Sequence, residues 1–169
     1  MNAHHRARRL ALQGLCCLDA QGPPARPLIQ EFIDDSNEPG ETLAAAGGML
    51  DETYADRAEC DALLTRHARH WDLGRLAMVD RNILRLAAWE LRRARAPMKV
   101  VITEAILLAR EFSTAESPRF INGVLDSIAK ELRGQDKISR DAGEGKSEEK
   151  ISRDAGDAGD TDVGKEEEG

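Results

Sequence analysis

Long apolar runs are missing from this chain. No stretch of about 18 apolar residues occurs, so no membrane-spanning helix is expected. Cysteine is scarce: Cys16 and Cys17 are adjacent and Cys60 stands alone, which gives no even disulfide framework and points to the reducing cytoplasm. Aromatic residues make up 4% of the chain and there are only 6 prolines. No segment sustains the period-two alternation of a half-buried strand, whereas Ala, Leu, Arg and Glu are abundant. The composition therefore predicts an all-α protein. Catalytic signatures are missing too. There is no Gly-rich phosphate loop, no nucleophile elbow and no pair of carboxylates in an apolar setting, so neither an enzyme nor a cofactor is expected. His67 and His70 lie three apart, with Cys60 two turns earlier, but no carboxylate or cysteine follows at the spacing that would complete a tetrahedron; no metal is expected. Glu104 is the one acid flanked by core-type residues. Its expected role is to face a helix N-terminus rather than to act as a catalytic acid.

What is present divides the chain at Gly134. The 169 residues suffice for one compact domain and leave no room for a second large one. The formal charge is −7, yet residues 1–134 carry 18 Lys and Arg against 19 Asp and Glu, whereas residues 135–169 carry 6 against 12. The acidity thus belongs to the tail. There the sequence KISRDAG occurs at 137–143 and again at 150–156, in a stretch almost devoid of large apolar side chains. Such a segment cannot bury enough surface to offset ordering entropy, and a disordered acidic tail is expected beyond a helical domain of residues 1–134. At the other end Arg6, Arg8 and Arg9 crowd together before the apolar stretch 10–18, which Gln13 interrupts and no small-residue cleavage site follows; it reads as a helix and not a signal peptide. Two readings of the three arginines stand side by side: a solvated, frayed terminus, or a contact to phosphate, whose oxygens suit the forked guanidinium.

Helical periodicity organises the rest. A first helix is predicted over residues 3–20, stopped by Gly22, Pro23 and Pro24, and a short one over 27–34. Residues 41–71 read as helical with a break near Gly47 and Gly48 or around Asp56. From 76 to 95, Ile83, Leu84, Ala87, Ala88 and Leu91 form one wide stripe flanked by Leu86 and Trp89, the mark of a central buried helix that Pro97 ends. Over 100–112, Val101, Ala105, Leu108 and Phe112 share one face, and Ile102, Ile106 and Ala109 supply a second. Ser117 reads as an N-cap with Pro118 at the first helical position, opening a last helix of about 15 residues on Ile121, Val124, Leu125, Ile128 and Leu132.

Four runs, taken in order, carry a family likeness: ARRLALQGL at 7–15, DRNILRLAAWEL at 80–91, Pro97 with VITEAILLA at 101–109, and FINGVLD at 120–126. Over residues 6–132 the chain resembles the NusB family of transcription antitermination factors. The resemblance implies a compact domain of about seven helices in N- and C-terminal halves, without catalytic activity. It also implies binding of the single-stranded boxA element of nascent ribosomal RNA, together with NusE, a small-subunit ribosomal protein, in the transcription elongation complex.

Carried over by position, Arg6 and Arg8, with Arg9 beside them, match the family's arginine-rich arm, and Gln13 matches the glutamine of its first helix. Arg119 and Phe120 match a basic and aromatic pair near the RNA. Asp80 matches an acidic position at the NusE surface, and Glu116 one that modulates RNA affinity. Alternatives remain: Phe120 also fits the edge of the core, Asp80 a helix cap, and Asn122 and Gly123 structural roles, the glycine allowing close helix approach and the amide tying down a neighbouring backbone. Two positions depart from the family pattern. Cys16 stands where an aromatic is usual, and Thr103 where Asn often precedes Glu104. A helical protein adaptor that has lost RNA binding is the competing function.

Overall fold

The computed structural model describes residues 1–148. Among them the structure is all-α: α1 (Ala3–Gln21), α2 (Arg26–Asp34), α3 (Gly40–Ala55), α4 (Arg57–His67), α5 (Met78–Arg93), α6 (Met98–Phe112) and α7 (Ser117–Glu148), with single 3₁₀ turns at Pro23–Ala25 and Leu73–Arg75. No strand occurs among the described residues, and none of their helices is long and apolar enough to cross a membrane.

Local chemistry explains most of the boundaries. The Asn2 side chain accepts the His5 backbone N–H at 2.7 Å and caps α1, which ends at Gly22 with φ 77°, in the left-handed region that glycine enters without strain. The break in the third helical segment falls at Asp56, and Gly47 and Gly48 lie inside α3. Each glycine costs a helix about 1 kcal/mol relative to Ala, but burying Leu50 returns about 2 kcal/mol and Ala46 is buried beside it, so packing carries the helix through. Chain reversal ends α5 before Pro97 is reached. Ala94 takes a left-handed conformation with φ 48°, and Pro97 becomes the residue that precedes α6.

Met1–Leu132 forms one compact unit, and the described residues beyond it, 133–148, belong to a second. In the first, α1, α2 and α3 pack on one another, α5 holds α4 and α6, and α1 and α3 meet α5 to join the two halves. The stripe expected on α5 is buried, as are Leu86 and Trp89 beside it. Val101, Ala105 and Leu108 of α6 and Ile121, Val124, Leu125 and Ile128 of α7 are buried as well. Gly14 lets α1 approach its neighbours: a Cβ there would lie 2.9 Å from a Leu50 methyl and 3.0 Å from Ile29.

The last helix exceeds its expected length. α7 continues through the first KISRDAG copy to Glu148, and residues 133–143 are exposed throughout. Opposite charges four residues apart, Asp136 with Arg140 and Lys137 with Asp141, favour this solvated helix by a few tenths of a kcal/mol per pair, roughly. The second copy, at 150–156, lies outside the described residues, as does the rest of the predicted acidic tail.

Candidate nucleic-acid interface

The arginines of α1 are all paired within the chain, Arg8 in the interior and Arg6 and Arg9 nearer the surface. Arg8 is 4% exposed and faces Glu90, itself 2% exposed. Its Nε–H donates to both Glu90 oxygens at 3.2 and 3.0 Å, and Nη2 donates to Oε1 at 2.7 Å. Glu104 joins the cluster, with Oε2 3.8 Å from Arg8 Nη1 and sharing a 2.6 Å hydrogen bond with His5 Nδ1. This corrects two expectations. Arg8 has no fork free for phosphate, because helical spacing puts it on the same buried face of α1 as Ala11 and Leu15. Glu104 is a buried ion-pair partner rather than a helix-dipole residue, because α6 begins at Met98 and leaves it beyond the first turn. Arg9 pairs with Glu111 and lies over the Phe112 ring at 5.7 Å. Arg6 donates to Glu38 at 2.6 Å and to the Met1 carbonyl at 2.7 Å.

Carboxylate partners hold most other arginines, including Arg26, Arg66, Arg81, Arg85, Arg92, Arg93 and Arg95. Arg69, Arg110 and Arg119 are exposed and make no ion pair among the described residues. They fall around one corner. Arg110 and Arg119 line a groove of about 650 Å³ together with Asn122. Arg119 also lines a second groove of about 400 Å³, with Arg69, His70, Trp71, Glu116 and Phe120. Phe120 is half-buried: one side packs on the core, and the ring meets Trp71 with centroids 5.0 Å apart and planes at 58°.

Two latches position this corner. Asp80, in the first turn of α5, is 9% exposed; its Oδ1 accepts from Ser113 Oγ at 2.6 Å and its Oδ2 from Ser117 Oγ at 2.9 Å. Asp80 is thus a tether under the α6–α7 turn and not a rim charge, and the Ser117 hydroxyl serves Asp80 in place of a helix cap. The second latch is His67, which shares hydrogen bonds with Ser127 Oγ at 2.7 Å and with Glu131 of α7. Hydrogen bonds from His67 and then Arg66 hold the Glu131 carboxyl below its usual range, outweighing its slight desolvation. That contact ties the end of α4 to α7 and sets Trp71 beside Phe120. Among the described residues no cluster of His, Cys, Asp and Glu forms a metal site.

Residues 5–130 match the sequence profile of the NusB family. The chain belongs to the NusB family. Relatives named transcription antitermination protein NusB include one from Solibacter usitatus, 42% identical over 134 residues and spanning 78% of this chain and 92% of the relative. One from Geobacter sulfurreducens is 42% identical over 138 residues, spanning 78% and 97%. Among solved structures, T. maritima NusB superposes with a TM-score of 0.70 at 32% identity, covering 76% of this chain and 91% of that one. A crystal structure of the antitermination factors NusB and NusE in complex with double-stranded RNA superposes at 0.69 and 26% identity, covering 77% and 98%. Membership makes the protein a transcription antitermination factor and not an enzyme.

On the NusB fold of this chain, three residues singled out in the sequence, Glu116, Arg119 and Phe120, share one groove. Gln13 is exposed but lines a different groove with Leu28 and Phe32. Asn122 and Gly123 are exposed, and a Cβ built on Gly123 meets nothing within 4 Å, so the pair shapes the grooves and does not mediate close helix approach. Cys16 is half-buried, and burial, followed by the Asp19 charge, pushes its thiol up to about 11. Thr103 donates to the Lys99 carbonyl at 2.8 Å inside α6 and caps nothing. Arg69, Trp71, Arg110 and Asn122 were not legible as site residues one at a time. The signal for the first two is the run Arg66-His67-Ala68-Arg69-His70-Trp71, basic residues ending on an aromatic.

Proposed function

We propose that this NusB-family protein binds boxA-type single-stranded RNA of nascent ribosomal RNA transcripts together with NusE, as part of the cytoplasmic transcription elongation complex. The observation that carries the proposal is the concentration of unpaired arginines, Arg69, Arg110 and Arg119, around the half-buried ring of Phe120. Arginines free of carboxylates offer forked donors to phosphate, and an aromatic face accepts any unstacked base. Three phosphate contacts on a single strand yield a salt slope of only about −2, so the protein alone binds weakly, and NusE extends the surface. Residues 1–134 carry this activity, and residues 135–169 are an appendage to it. Relatedness to a NusB seen with NusE and double-stranded RNA supports the coarser part of this reading, binding of RNA and NusE.

The inward-turned Arg8 and the half-buried Cys16 favour a second reading, a helical adaptor that holds NusE without touching RNA. Titration of labelled boxA RNA and a scrambled strand, with and without NusE, separates the two. The proposal expects boxA to bind more tightly than the scrambled strand, the gap to widen with NusE, and Phe120→Ala to cost about 1–3 kcal/mol on boxA. Association with NusE and no RNA affinity in any arm would establish the adaptor instead.

A further inference from the structure

Trp71 stands outside every helix, between the end of α4 and the 3₁₀ turn Leu73–Arg75. It is 59% exposed, an unusual position for the side chain with the largest apolar face. It does not float free. Its backbone N–H donates to the Ala68 carbonyl at 3.0 Å, Ala68 is buried, and the ring rests against Phe120. The surrounding charge has one dominant sign: Arg69 and Arg119 line the same groove without ion-pair partners, against the single carboxylate of Glu116. An aromatic face held in place, open to solvent and flanked by unpaired guanidinium groups suits a base and its phosphates better than an apolar helix of a protein partner.

We propose that Trp71 is a second base-stacking residue of the RNA interface, adjoining Phe120 and supplying in this chain an aromatic surface that Cys16 does not. The inference rests on the RNA-binding reading given above. Ring geometry determines how the two side chains share a strand. A base sandwiched between two rings would need them parallel and about 7 Å apart, twice a van der Waals stacking distance. Trp71 and Phe120 have centroids 5.0 Å apart and planes at 58°, so no base enters between them. Each ring instead offers its outer face to a different base, and the strand turns as it passes from one to the other. Gly123, without a side chain to crowd the groove, leaves the floor beside Phe120 open.

Intrinsic fluorescence reads this site directly. The chain has 2 tryptophans. Trp89 is buried in α5 and Trp71 is exposed, so quenching by a stacked base reports Trp71. The experiment titrates the full chain, with and without NusE, with boxA RNA while recording tryptophan emission, and in parallel measures RNA affinity by anisotropy of a labelled strand. Trp71→Ala is expected to weaken boxA about tenfold and to abolish the quench, while Trp71→Phe retains most of the affinity, since a ring suffices for stacking. Circular dichroism of both variants should match the parent, because the replaced side chain is exposed. RNA that binds by anisotropy with no quench, and with unchanged affinity in Trp71→Ala, overturns the inference and leaves the RNA-binding reading intact. No anisotropy signal with any strand, with or without NusE, overturns the RNA-binding reading itself. A quench produced by NusE alone, unchanged when RNA is added, would assign Trp71 to a protein contact and also overturn the inference.

Discussion

Replacing Arg8 with Met should unfold a large part of this protein's stability margin rather than weaken its affinity for RNA. Glu90 is 2% exposed and receives three hydrogen bonds from Arg8, at 2.7, 3.0 and 3.2 Å. Without the guanidinium a carboxylate stays buried with no partner charge, and Glu104, 3.8 Å from Arg8, loses its neighbouring cation as well. Breaking one side of a buried pair costs about 3–5 kcal/mol, a large share of the roughly 5–15 kcal/mol that holds a domain together. At about 4 °C per kcal/mol for a domain of this size, the melting temperature should fall by about 12–20 °C. Removing both charges, in Arg8→Met with Glu90→Leu, should recover most of the loss, since similar volume without charge replaces the pair. Urea unfolding followed by circular dichroism on the two single variants and the double variant completes the cycle, and an unchanged m-value certifies that stability alone is being compared. An Arg8→Met protein as stable as the parent but impaired on RNA would refute the structural role and return Arg8 to the arm.

Asp80→Ala should cost about 3 kcal/mol, because Ser113 and Ser117 lose a charged acceptor under the α6–α7 turn, and NusE and RNA affinity should fall together as that turn loosens; chemical denaturation and both titrations on one preparation test this. The Cys16 thiol is raised from 9.0 to about 11, so the fold favours the neutral form: that contribution is complete below pH 9.0 and is lost as pH rises towards 11. Near pH 8 the folded chain therefore holds much less Cys16 thiolate, and alkylation of Cys16 should be slower in the folded than in the unfolded chain. Ending the chain at Gly134 should leave the melting temperature within a few degrees of the parent, roughly, since residues 133–143 are exposed; a larger drop in a thermal scan would show that the continuation of α7 supports the domain.

Periodicity carried most of the fold into the sequence. The stripe of Ile83, Leu84, Ala87, Ala88 and Leu91 is buried as its spacing requires, and the capping and breaking residues put the helix ends within a few positions, about the usual scatter of such boundaries, except at the end of α7, which runs on to Glu148. Competition between local signals and packing was harder to read. Gly47 and Gly48 look like a break, but Ala46 and Leu50 anchor the helix on both sides. In the candidate site, identity and environment separated. Arg8 falls on the apolar face of α1, which the spacing to Ala11 and Leu15 already implied, while its partner Glu90 lies 82 positions away. Likewise the grouping of Arg69, Trp71, Arg110 and Arg119 depends on how α4, α6 and the start of α7 converge, and no local pattern shows which arginines will find carboxylates.

The most direct test of where this protein meets RNA is the salt dependence of boxA affinity in the presence of NusE. Replacing Arg69, Arg110 and Arg119 together by Gln should flatten the slope of log K against log salt by about 2, at 0.7 per phosphate lost, whereas replacing Arg6 and Arg9 should change it by less than about 0.5. An unchanged slope in the triple variant, with the loss appearing in the Arg6 and Arg9 variant, would place the interface on the N-terminal arm and contradict the assignment to the corner around Phe120.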